Sequence, residues 1–375
     1  MKQLFKITLV VLTALVSFTA CRDNEDEITP SGNYSPIRGG FPQGDSELDQ
    51  RIYQIKQDYG VYLLYKDVTE TDMNRTWESA GTGNIIVAGY EDDRDKNTWD
   101  LPLDQLPFYV EFFDNYIFPN IITKEFAQNT FPVKIYMIHN LREEARTFGD
   151  ESEEGNNEGT GVAPNKNLHI GTFDNWVISF PEEVAKGTDT GADTEYMLKQ
   201  QRCIFMTNVI QNSIQKGDLK IPNEFWADYS MNKDTKCLED KHDGCDKVYI
   251  PKDTLISEDE ARKIKESENG LYSLGFVDVL ESKFGTGRTT RIEKQIYHTR
   301  GWVHTDYWTS KVNPTCDLFE AYVMNAMWFT PEEFHQRYNT GKNTLIKKKY
   351  DYVVDYMKKQ YGIDLVGIAN GKKKQ

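Results

Sequence analysis

The stretch from Glu195 to Lys216 constrains this chain more than any other. Tyr196, Cys203, Met206, Ile210 and Ile214 recur at helical spacing, which predicts a long central helix with these residues on one buried stripe. Beside that stripe Thr207, Asn208 and Gln211 sit one and four residues apart, a spacing at which a helix can aim several side chains at one point. None of the three is a strong metal ligand or a general base. A helix that long needs a layer to pack on, and the flanking sequence offers strands for it. FPVKIYMIHN, residues 131–140, reads as a strand by its alternation and β-branched content, and NLHIGTF (167–173) and NWVISF (175–180) follow as a strand pair.

The remaining elements are short and punctuated. Ser46 with Asp49 opens a helix that runs to about Asp58, with Leu48, Ile52 and Ile55 inward. VYLLYKDV and NIIVAGY are strand candidates, and helical periodicity returns over 103–118, its start delayed by Pro107. LREEARTFGDESEEGNNEGTG is acidic and glycine-rich and reads as a surface loop. Beyond the central helix come a polar insertion over about 217–256, a helix from Ser257 to near Gly285, and helices over Thr315–Phe329, from TPEEF onward, and over about 342–361. The order predicts an α+β chain with a small mixed sheet and a mostly helical C-terminal half.

At the N-terminus a basic MKQLFK precedes an apolar run of 14 residues that ends in small residues before Cys21. A bilayer core of about 30 Å needs roughly 20 helical residues, so residues 1–20 read as a signal peptide. FTAC resembles a bacterial lipobox, which implies that Cys21 is the lipidated first residue of the mature chain. RDNEDE after it resembles the signals that send lipoproteins of the Bacteroidota to the outer face of the outer membrane. The expected organisation is therefore a signal peptide (1–20), a lipidated flexible tether (21–45), an N-terminal α/β subdomain ending in the central helix (46–216), and a helical C-terminal subdomain (217–375).

Loss of the signal peptide shifts the formal charge from −15 to −17, because Lys2 and Lys6 leave with it. So acidic a chain is a poor partner for nucleic acid or an anionic membrane surface. An exported location permits disulfides, and Cys237 with Cys245 brackets a polar loop short enough to bridge; Cys203 faces the apolar stripe as a buried thiol.

LDQRIYQIKQDYGVYLLYK, VKIYMIH, NLHIG, the central helix, GWVHTDY and DLFEAYV, in that order, resemble a family of Bacteroidota lipoproteins described as zinc-binding metallopeptidases and encoded beside TonB-dependent nutrient importers. The resemblance implies a zincin-like fold whose central helix carries HExxH, two histidines at i and i+4 binding zinc and a glutamate activating the metal-bound water. Here TNVIQNSIQ puts Thr207 and Gln211 at the histidine positions, Asn208 at the glutamate position and Gln215 at a closing glutamine. The third ligand, an acidic residue in DLFEAYV, falls on Ala321 when Phe319 is aligned, with Asp317 and Glu320 close by.

Every catalytic position has therefore lost its chemistry. The expectation is a pseudoenzyme with no catalytic residue and no bound cofactor, zinc being expected only if the family activity persists. It would bind peptide or glycan as an accessory to a TonB-dependent importer or its lipoprotein partner. Two other readings stand beside it. One is an active zinc hydrolase with ligands drawn from His298, His304, Asp317 and Glu320; the other is a structural subunit of the importer that reads no soluble ligand. A calcium-loop-like run, Asp93, Asp95, Asn97 and Asp104, has Thr98 where a glycine is needed and reads as a solvated acidic turn.

Overall fold

A computed structural model describes residues 39–73, 84–89, 99–145, 168–170, 175–229 and 314–371, with 37, 262, 263, 266, 272, 273, 275–278 and 280 in shorter pieces. Within helices and strands, the side chains of residues 70, 71, 84–86, 143–145, 169, 170, 192, 193 and 314–317 fall outside this set. Met1–Phe41 and Pro42–Gln375 are separate units, and the elements below all belong to the second.

Helix α1 (Glu47–Tyr59) starts at a capping box between Ser46 and Asp49 and stops where Gly60 takes φ 78°, a left-handed conformation that glycine adopts without Cβ strain. Asp49 is buried and accepts the Tyr65 hydroxyl at 2.6 Å, so the cap also pins α1 to the strand beside it. That strand, β1 (Tyr62–Leu64), runs parallel to β3 (Lys134–His139), and β3 runs parallel to β6 (Asn175–Phe180). Strand β5 (Leu168–Ile170) pairs antiparallel with β6 and closes the order β1-β3-β6-β5. Strands β3 and β6 are buried at every position after the first, as parallel strands covered on both faces require.

Between β1 and β3 the chain makes the short helix α2 (Glu70–Met73), strand β2 (Asn84–Val87), helix α3 (Leu106–Glu111) and helix α4 (Lys124–Thr130). Pro107 in the first turn of α3 does delay the helix, as its missing N–H suggests. The helix then widens into a π-helical stretch, Phe112–Ile117, and a 3-10 turn, Phe118–Asn120, which the periodicity does not reveal. Strand β4 (Arg142–Ala145) pairs antiparallel with β2, so the first residues of the expected acidic loop are in fact strand. The Tyr109 hydroxyl accepts from Phe180 N at 2.8 Å and donates to Ile138 O at 2.7 Å, tying α3 to the ends of β3 and β6.

After β6 come α5 (Glu182–Ala185) and the central helix α6 (Ala192–Lys216), capped by Gly217 at φ 83°. Phe205 on α6 lies 5.1 Å from Trp176 of β6, 5.6 Å from Phe113 and 5.7 Å from Phe131, ring to ring, and this aromatic layer fixes the helix against the sheet. The C-terminal half supplies α7 (Pro314–Trp328), α8 (Pro331–Arg337) behind a Thr330–Glu333 capping box, α9 (Thr344–Tyr361) and α10 (Leu365–Asn370). The expected helix over 257–285 does not extend through 272–280, where the described residues are non-helical. Arg202 of α6 holds α10 in place: its Nε donates to Ile368 O at 2.7 Å and its Nη2 to Ala369 O at 3.2 Å, a buried cation on the carbonyl end of a helix. The architecture is α+β, a small mostly parallel sheet with helices packed on it. Among the described residues no helix is long and apolar enough to cross a membrane.

Candidate functional site

Helices α6 and α7 lie antiparallel, joined at one end by Cys203, whose thiol donates to Met327 O at 3.1 Å, and about two turns further along α6 by Gln211, whose Nε2 donates to Glu320 Oε2 at 2.9 Å. Burial pushes the Cys203 thiol up to about 12, so this sulfur stays protonated and inert, the buried thiol its place on the stripe suggests. Met206 and Ile210 share its burial, whereas Ile214 is only half-buried and Tyr196 is 46% exposed. Tyr196 therefore leaves the stripe on which its spacing placed it. Its ring meets Trp328, at the end of α7, edge-on at 5.6 Å.

The three polar positions do not converge on one point. Asn208 turns back along its own helix, its Nδ2 donating to Ile204 O at 2.8 Å, while Gln211 reaches across to α7. Thr207 is 7% exposed, and its hydroxyl has no hydrogen-bond partner among the described residues. Gln215 is exposed at the helix end. On α7 the carboxylate that meets α6 among the described side chains is Glu320. Ala321, the position given by alignment on Phe319, is 1% exposed and carries no ligand atom. A one-residue shift from that alignment is what brings a carboxylate to the α6 face.

Thr207, Gln211 and Glu320 do not fit zinc. A tetrahedral site draws on imidazole, thiolate and carboxylate donors, whereas this set offers a neutral hydroxyl, an amide whose nitrogen is donating, and one carboxylate already accepting from that amide. Among the described residues no group of three or more His, Cys, Asp or Glu is placed to hold a metal ion. Of the other sequence-predicted positions, Asp317 lies in α7 with its side chain outside the described set, and His298, His304, Cys237, Cys245 and Cys21 lie outside the described residues altogether. So do Asp93, Asp95 and Asn97, while Asp104 makes an exposed ion pair with Lys186 at 3.3 Å. His335 is a packing residue against Phe334 and Tyr350, its Nδ1 3.1 Å from the Thr340 hydroxyl.

Glu320 is named by the sequence only as one of two carboxylates near the third-ligand position, and the α6–α7 contact singles it out; Tyr196 is misplaced by it. Tyr196 fits the core by its spacing from Cys203, yet the buried residue of that turn is Leu198, which lines up instead with Phe205. Two helical registers overlap in this part of α6, and the signal for the second is the pair Leu198 and Phe205.

No protein-family profile and no curated protein matches the chain. Among solved structures, it is similar to a "putative zinc-binding metallo-peptidase from Bacteroides caccae ATCC 43185", with 11% identity and a TM-score of 0.38 over 88% of this chain and 92% of that one.

Proposed function

We propose that this protein is a lipid-anchored, surface-exposed relative of zincin-like metallopeptidases that has given up catalysis and uses the α6–α7 face to bind a ligand for a TonB-dependent nutrient importer. One observation carries the reading. Gln211, where the sequence resemblance puts the second histidine, donates across two helices at 2.9 Å to Glu320, one residue before Ala321, where alignment on Phe319 puts the acidic third ligand. An amide–carboxylate hydrogen bond can hold two helices together as a shared metal would, but it activates no water: an amide does not accept a proton near neutral pH, and Asn208 stands where the general base would be. Binding survives such a loss. The half-buried amides of Asn208, Gln211 and Asn212 along α6 keep hydrogen-bonding capacity that needs no catalytic group.

The reading is tested by restoring the ligands. The T207H/Q211H variant, with Glu320 as third ligand, should bind about one equivalent of zinc, as a site with two histidines and one carboxylate does. Failure of the folded double variant to take up zinc would mean that these three positions do not descend from a metal site.

A further inference from the structure

The accessible face of α6 is uncharged over four turns. From Gln200 to Gln215 the one ionisable side chain other than Cys203 is Arg202, which is 5% exposed and spent on the carbonyls of α10. In a chain with 27% charged residues, a half-buried helix face free of charge stands out. Its half-buried side chains include Gln200, Ile204, Asn208, Gln211 and Asn212, four of them amides. Tyr196, 46% exposed over the edge of Trp328, closes one end of this row, and the Glu320 carboxylate flanks the other. Lys199 lies to one side, its ammonium 4.9 Å from the Trp328 ring centre. Thr207, 7% exposed, lies beneath this row with a buried hydroxyl that has no partner among the described residues. The row from Tyr196 to Asn212 is about 24 Å long at 1.5 Å per residue.

Amides present a donor and an acceptor side by side, which matches adjacent hydroxyls that are themselves both donor and acceptor. An exposed tyrosine ring offers a flat apolar face with a polar tip, and a carboxylate accepts from hydroxyls. We infer that the ligand of the α6 face is a neutral oligosaccharide, stacked on Tyr196 and hydrogen-bonded by Asn208, Gln211 and Asn212. This rests on the binding-protein reading above and adds the chemical class of ligand to it.

The test is calorimetric titration of the mature chain with four uncharged hexaoses, malto-, cello-, xylo- and mannohexaose, and in parallel with end-blocked decapeptides. At least one hexaose should bind, and Tyr196→Ala and Asn208→Ala should each weaken it by about tenfold while leaving the melting temperature close to that of the parent. Binding of none of the four at millimolar concentration overturns the inference, as does hexaose binding that neither substitution weakens. Peptide binding lost in Asn208→Ala would overturn the oligosaccharide assignment and leave the binding role intact. A full equivalent of zinc in the same parent preparation would remove the reading beneath both.

Discussion

Helix α7 carries two polar clusters less than two turns apart, and they are built on opposite principles. At Asn325 the cluster is closed. Asn325 Nδ2 donates to Asp278 O at 2.7 Å and to Ala321 O at 2.8 Å, and its Oδ1 accepts the Tyr338 hydroxyl at 2.6 Å. Asp278 in turn accepts from Tyr272 and from Arg337, each at 2.8 Å, and its own N–H donates to Tyr338. Burial beside Asp278 pushes the Tyr272 hydroxyl far up, while for Arg337 burial is outweighed by Tyr338 and Asp278, which hold the guanidinium above its ordinary range. At Glu320 the cluster is open in that its side chains are half-buried: Gln211 donates to Glu320, Asn208 and Asn212 are further half-buried amides of α6, and the buried Thr207 hydroxyl has no partner among the described residues. Burial is what separates the two clusters, since each also holds a buried polar atom with no partner among the described residues, Arg337 Nε in one and the Thr207 hydroxyl in the other.

The comparison can be broken most readily at the closed end. Asp278→Ala strips the partner from Arg337 and from Tyr272, and should cost about 3 kcal/mol or more of unfolding free energy in a denaturant titration. A loss below about 1 kcal/mol would mean the network does not hold the 272–280 segment as described. At the open end, Gln211→Ala and Glu320→Ala should each cost only about 1 kcal/mol, with a double-mutant cycle showing a coupling of similar size. Additive effects would show that the two side chains do not meet. Thr207→Val, which swaps an unsatisfied hydroxyl for a methyl of the same shape, should be neutral or stabilising by up to about 1 kcal/mol. A clear destabilisation there would make Thr207 part of the packing and the contrast between the clusters would fail.

Much of the frame is legible in the sequence because it rests on local signals. The Ser46–Asp49 and Thr330–Glu333 capping boxes, the β-branched content of β3 and the period of α9 are written in a few adjacent residues, although β3 is buried at every position after the first rather than at alternate ones. Helix α10 is not, although Asp364 at its N-cap and Gly371 just past its end mark it, because its six residues are too few to show a period. The β2–β4 pair is half hidden because Arg142–Ala145 is charged and becomes strand only through its partner. At the candidate site, the absence of strong ligands at Thr207, Asn208 and Gln211 can be read directly. The meeting of Gln211 with Glu320 cannot, since 109 residues separate them and a one-residue shift on α7 changes which side chain faces α6.

The account turns on whether the α6–α7 face has exchanged a metal for an amide–carboxylate bond, and metal content tests that most directly. Elemental analysis of the mature chain, purified without chelators, should find less than about a tenth of an equivalent of zinc or its neighbours, because the side chains at this face supply no tetrahedral ligand set. A full equivalent would contradict it and direct the search for ligands to Glu320, Asp317, His298 and His304.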